Sequence, residues 1–187
     1  MANIDPSVSR RKRQDFTAIQ TRYAQCFFRS RLEARYAVFF DTLGVKWEYE
    51  KEGFVLPHFG CYLPDFWLPE FRVWVEIKGS VEMDYWTATA PEQKLRMLCK
   101  KTTDRGFLFV GTPDPSDTLI SIIYLSGEHA RLERERGLAD LLFSLLGYSI
   151  DEPIGEQAGA AFLKIVQACE AAKSARFEFG ETPEARG

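Results

Sequence analysis

Four side chains have the types and spacing to do chemistry: Glu33, Asp65, Glu76 and Lys78. Glu76 and Lys78 stand two apart in Arg72-Val73-Trp74-Val75-Glu76-Ile77-Lys78. Alternation along an extended strand sends Val73, Val75 and Ile77 to one face and leaves Glu76 and Lys78 on the other with Arg72 and Trp74. An acid and a base so placed are held close by the backbone itself. Asp65 follows Pro64 in Tyr62-Leu63-Pro64-Asp65-Phe66-Trp67, and a short turn around Pro69-Glu70 folds that segment back on 72–78, carrying Asp65 towards Glu76. Two carboxylates and a backbone carbonyl make a hard, oxygen-rich site suited to Mg²⁺ or Mn²⁺. Such an ion can lower the pKa of a water and offset charge on a phosphodiester. A lysine beside it can orient the attacking water or stabilise the pentavalent phosphate.

Each of these residues also has a plainer use. Ser30-Arg31-Leu32-Glu33 has the S-x-x-E form of a capping box, in which Glu33 bonds the Ser30 backbone while keeping a second oxygen free for an ion. Asp65 after proline can simply form a turn. Glu76 and Lys78 can be a solvated pair, although Trp74 beside them argues against a plain solvent face. Trp86, in the polar stretch Asp84–Thr89, is the tryptophan best placed to stack on an unpaired base, whereas Trp47, Trp67 and Trp74 are expected in the core or at its rim. His58 and His129 are isolated. Cysteines at 26, 61, 99 and 169 form no CxxC pair, so a zinc cluster is not expected and reduced thiols in the cytoplasm are. No GxxxxGK[ST], GxSxG or HExxH motif is present, which sets aside ATPase, serine hydrolase and zinc protease chemistry.

The elements that must position these residues follow from periodicity. Leu32, Tyr36, Phe39, Phe40 and Leu43 recur at helical spacing over Arg31–Leu43, with Gly44 as the stop. The period then changes to two in Lys46–Glu50, in the short run Phe54–Leu56, around Tyr62–Leu68 and in Arg72–Lys78, predicting several strands joined by tight turns. Pro91 opens a helix to about Thr103, and Gly106–Val110 and Thr118–Leu125 read as further strands. Beyond Glu128 the chain reads as helical: a charged helical segment over Arg131–Arg136, an apolar one over Leu138–Leu146, a linker over Gly147–Gly155 and an Ala-rich helix over Ala158–Ala175. The expected organisation is a basic arm over 1–28, an α/β core over 29–126 with a central mixed sheet flanked by helices, and a helical C-terminal extension over 127–187.

Charge is distributed unevenly. The chain of 187 residues carries a net −3. Residues 1–35, however, hold eight basic and three acidic side chains, leaving a body of net −8. A basic arm can grip phosphates without a high overall pI. The longest apolar runs are too short to span a membrane, and no apolar stretch follows the first charges, so neither a membrane partner nor a secretory leader is expected.

Taken in order, Arg29-Ser30-Arg31-Leu32-Glu33, Tyr62-Leu63-Pro64-Asp65-Phe66 and Val75-Glu76-Ile77-Lys78-Gly79 resemble the PD-(D/E)xK nuclease superfamily, notably its transposon-end nucleases, junction resolvases and small phage-borne endonucleases. The resemblance covers about residues 29–126. It implies a restriction-endonuclease-like fold and Mg²⁺-dependent DNA endonuclease activity, with Mn²⁺ able to substitute. Asp65 and Glu76 would then bind the metal with the Ile77 carbonyl, Lys78 would be the catalytic lysine, and Glu33 a helix-borne further ligand. Gln93-Lys94 is similar to the glutamine element of the exonuclease branch, but Met97 stands where that branch has tyrosine. Arg10, Arg11, Lys12, Arg13, Arg29 and Arg31 would contact DNA, and a homodimer or a partner protein would supply target specificity. The alternatives are a non-catalytic DNA-binding or assembly module on the same scaffold, and a scaffold protein that oligomerises through its Ala-rich helix.

Overall fold

A computed structural model describes residues 19–82, 87–127, 129–138 and 156–177. A hairpin of β1 (Thr21–Tyr23) and β2 (Cys26–Phe28) leads into helix α1 (Arg31–Leu43). There follow β3 (Glu48–Tyr49), a second hairpin of β4 (Phe54–Leu56) and β5 (Gly60–Tyr62), then β6 (Phe66–Leu68) and β7 (Val73–Lys78). Helix α2 (Ala90–Thr102) crosses to β8 (Arg105–Val110), which continues through β9 (Leu119–Ser126) and β10 (His129–Arg136); α3 (Glu156–Ser174) closes the described chain.

The central sheet has the order β10-β9-β8-β7-β6-β3. Only β7 and β8 run parallel; the other pairs in it are antiparallel. This is the mixed sheet expected from the sequence. Its central strands are apolar on both faces because both faces are covered. On one side Val73, Val75, Ile77, Phe107, Phe109 and Ile120 pack with Tyr36, Phe39 and Phe40 of α1. On the other, Trp67, Trp74, Leu108 and Ile123 pack with Leu95, Leu98 and Cys99 of α2 and with Phe54, Leu56 and Tyr62 of the β4–β5 hairpin. Parity along β7 therefore decides which layer a residue meets, and Glu76 falls on the α2 side.

Helix α1 begins and ends where its sequence says. The Ser30 hydroxyl accepts from the Glu33 N–H at 3.2 Å, and Gly44 takes a left-handed φ of 75° while its N–H satisfies Asp41 and Phe40 carbonyls. Gly106 is required for a different reason. A Cβ there would meet Cys99 Sγ at 2.8 Å and Leu95 Cδ2 at 3.3 Å, so only glycine lets α2 approach β8 this closely. Gly106→Val is expected to cost about 2–3 kcal/mol through overpacking, read as a lower urea midpoint with an unchanged slope.

Two expectations need correction. Arg131–Arg136 is strand, not helix: it lies within β10, antiparallel to β9 from His129↔Ser126 to Arg136↔Leu119. Its charges belong to an edge strand, with Ala130 and Leu132 turned to the core and Arg131 to solvent. Residues 21–28 are not part of an arm, because Tyr23 and Phe28 are buried in the core. The expected C-terminal helix is present and packs on the core. Ala161, Ile165, Ala168, Cys169 and Ala172 form a buried stripe, and α3 packs along α1, where alanines permit close approach. Arg10, Arg11, Lys12, Arg13 and Trp86, and most of the 138–146 and 147–155 segments, lie outside the described residues. No helix among the described residues is long and apolar enough to cross a membrane.

Candidate functional site

Antiparallel pairing of β6 with β7 sets Phe66 opposite Val75, which by the same register places Asp65 beside Glu76. Both carboxylates are buried, Asp65 at 4% and Glu76 at 6% exposure. Asp65 Oδ2 accepts the Ile77 N–H at 2.7 Å, and Glu76 Oε2 accepts the Tyr62 hydroxyl at 2.9 Å. Lys78 closes the group. Its ammonium pairs with Glu76 Oε1, lies 4.0 Å from Asp65 Oδ2 and donates to the Ile77 carbonyl at 3.1 Å.

Arg29 enters from the loop between β2 and α1. Its guanidinium pairs with Glu50 and sits 3.8 Å from Asp65 Oδ1, while 55% of the side chain remains exposed. Glu50 reaches that position because a φ of 45° turns the chain after β3 and directs its N–H to the Asp65 carbonyl at 2.9 Å. The cluster is thus two buried acids covered by one lysine and flanked by one accessible arginine.

Burial and the neighbouring Glu76 push the Asp65 carboxyl up to about 8, against the lowering effect of Lys78 and the Ile77 N–H. Burial alone would lower the Lys78 ammonium, but Glu76 and Asp65 outweigh it and the group is held above its ordinary value. Tyr62, desolvated and bonded to Glu76, is raised far beyond any working pH and acts only as a donor. Two carboxyls in so small a buried space are both ionised only beside a cation; without one, a retained proton relieves the repulsion.

The donor set fits a hard divalent ion. The Lys78 ammonium already touches the Glu76 and Ile77 oxygens that such an ion would take and stands 4.0 Å from the Asp65 oxygen, so it serves as a stand-in cation for them. Both oxygens of Glu33 accept hydrogen bonds from other groups. Its Oε1 accepts the Ser30 hydroxyl at 2.7 Å, and its Oε2 accepts both the Tyr49 hydroxyl at 2.6 Å and the Arg29 N–H at 3.2 Å. The second oxygen expected to stay free is therefore occupied, and by Tyr49 and the Arg29 backbone rather than the Ser30 N–H. Glu33 remains within electrostatic reach of Asp65 and Lys78. Among the described residues no three acidic, histidine or cysteine side chains converge on one point. The ion would have two protein carboxylates, a carbonyl and water.

Of the other expected residues, Arg31 is half-buried at the start of α1, and Gln93 donates to the Ala88 carbonyl at 2.7 Å at the start of α2. Trp67 and Trp74 are core residues, and Trp47 bonds Asp41 through its indole N–H at 2.8 Å. Tyr62, Tyr49 and Glu50 escaped the sequence reading. Each comes from a short strand or its flank, and no spacing rule ties such a residue to a carboxylate on β7. No family model, curated protein or solved structure matches this chain.

Proposed function

We propose that this chain is a metal-dependent DNA endonuclease that hydrolyses phosphodiester bonds. The observation that carries the proposal is the gathering of Asp65, Glu76, the Ile77 carbonyl and Lys78 at one point beside the end of β7. Asp65 and Glu76, with the Ile77 carbonyl, would hold Mg²⁺ or Mn²⁺, which supplies Lewis acidity towards water and offsets phosphodiester charge. Tyr62 fixes the Glu76 rotamer through its hydroxyl, and the Ile77 N–H fixes Asp65. Lys78, kept cationic by the acids around it, presents positive charge to the phosphate as it becomes pentavalent. Arg29, accessible and beside Asp65, is placed to clamp the phosphate. A cytoplasmic location goes with a DNA substrate and with four free thiols.

The test is a cleavage panel of single-stranded, duplex, flap and four-way DNA with Mg²⁺, with Mn²⁺ and with EDTA. Lys78→Ala is expected to lower metal-dependent cleavage by about 10²–10³-fold, the scale of losing one transition-state charge partner. Full activity in Lys78→Ala from a nuclease-free preparation would sink the mechanism. Calorimetry in which Mg²⁺ and Mn²⁺ bind with no dependence on Asp65 and Glu76 would favour a non-catalytic DNA-binding module instead.

A further inference from the structure

The β1–β2 hairpin turns one face to the core and the other to solvent. Tyr23 and Phe28 are buried, whereas Arg22 and Phe27, cross-strand partners in the pairing of β1 with β2, point outward. Phe27 is 72% exposed, the highest exposure among the large hydrophobic residues described as exposed. The Arg22 guanidinium lies 5.1 Å from the ring centroid. Even with that cation against it, most of the ring faces water. A single exposed apolar side chain needs no special explanation, but this one has an address. Phe27 is two residues before Arg29, about 7 Å along an extended backbone, and the Arg29 guanidinium is 3.8 Å from Asp65. Phe28, between them, is anchored in the core against Tyr49 and Phe66, so the spacing from ring to site is rigid. In the sequence the hairpin begins eight residues after Arg13, the last of the basic run Arg10–Arg13.

An aromatic ring flanked by arginines along a path to a phosphate site is the pairing that single-stranded nucleic acid uses: cations track the backbone while bases stack on rings, and a guanidinium plane stacks as well. We propose that Arg22 and Phe27 form a stacking platform for an unpaired base of the strand whose phosphate Arg29 holds, so that the substrate is single-stranded DNA or DNA carrying an unpaired tail. This rests on the nuclease reading only for the position of that phosphate. In paired DNA the base faces are occupied by their neighbours, so a duplex gains nothing from the platform.

Fluorescence anisotropy in EDTA, with a labelled single strand, a blunt duplex and a duplex with a single-stranded tail, tests this without cleavage. Phe27→Ala is expected to weaken single-strand and tailed-duplex binding about 10-fold or more and blunt-duplex binding less than about twofold. Phe27→Trp is expected to restore affinity and to add indole quenching on binding beyond any shown by the four tryptophans of the wild-type chain. Position 27 is on the surface, and an unchanged unfolding midpoint will confirm that both variants fold. Wild-type single-strand affinity in Phe27→Ala overturns the proposal, as does an equal loss on blunt duplex. So does a concentration-dependent oligomer that Phe27→Ala abolishes while DNA binding persists, which would assign this face to a second protein chain. Phe27-dependent binding in a chain that cleaves no DNA keeps the platform and removes the nuclease reading. Cleavage with Phe27-independent binding does the reverse.

Discussion

Asp65→Asn is expected to abolish Mg²⁺-dependent cleavage and, in the same preparation, to raise the unfolding temperature of the metal-free protein. The loss should exceed the roughly 10–100-fold typical of removing a ligand's supporting partner and reach on the order of 10³-fold. The gain in stability follows from the same geometry. Asp65 and Glu76 are buried together with one ammonium between them. Asparagine keeps an oxygen for the Ile77 N–H but brings no charge into that space. An increase of about 1–2 kcal/mol, roughly 2–6 °C, is expected in EDTA.

Its pH dependence has a definite sign. The Asp65 carboxyl is raised in the folded chain to about 8, well above its unfolded value of about 4. Below about pH 4 the group is protonated in both states and costs nothing. As pH rises from about 4 to 8 the unfolded chain releases a proton that the folded chain retains, so wild-type stability falls relative to Asp65→Asn and the gap then levels off. Differential scanning fluorimetry across that range, with and without Mg²⁺, measures both effects. An Asp65→Asn protein that is less stable than wild type and still cleaves would refute the assignment of a strained acid pair.

Glu92→Ala is expected to be the most destabilising single substitution considered, at about 3–5 kcal/mol. Glu92 is completely buried, yet every acceptor position is used. Its Oε1 accepts from Arg134 Nε at 2.7 Å and the Ser121 hydroxyl at 2.6 Å, and its Oε2 accepts from Arg134 Nη2 at 2.7 Å and the Thr89 N–H at 2.6 Å. One side chain thereby caps α2 and fastens it to β9 and β10. Truncation would strand a largely buried guanidinium and uncap the helix together. Burial alone would raise this carboxyl, but the bonds from Arg134, Ser121 and Thr89 outweigh it and hold it down at about 2. A depressed folded value means that the contribution is complete above the unfolded pKa and is lost as pH falls through roughly 4.5 to 2. Wild type should lose stability over that window, and Glu92→Gln should lose less. Chemical denaturation of the three proteins at pH 7, 4 and 2.5 gives the comparison. A Glu92→Ala cost below about 1 kcal/mol at pH 7 would show the network to be dispensable.

Much of the site was legible because β7 announces itself. Val73, Trp74, Val75 and Ile77 around Glu76 and Lys78 mark a strand, and parity alone separates the two faces. α1 was equally plain, since Ser30 and Gly44 mark ends that local hydrogen bonds enforce. The first hairpin was not. Its turn places Ala24 and Gln25 at φ values of 47° and 63°, a left-handed pair that sequence reading associates with Asn or Gly. Tertiary burial of Tyr23 and Phe28 holds that turn without the usual residues. β10 was misjudged because Arg-Leu-Glu-Arg-Glu-Arg satisfies a solvated helix face as readily as an edge strand. The long-range bond from Arg134 to Glu92 decides between them, and it spans 42 residues.

By itself the sequence determined the acid pair, the lysine beside it and the mixed α/β order, because each depends on neighbours within a few residues or on one short hairpin. Only the tertiary structure decided which groups bond Glu33, since its oxygens accept from a cap and from Tyr49, sixteen residues away. The same holds for Arg29, which nothing local distinguishes from the other basic residues of the first 35. Packing of Phe28 beneath it and the turn at Glu50 bring its guanidinium to Asp65. Local periodicity sets which face a side chain takes; long-range packing sets which other side chains it meets there.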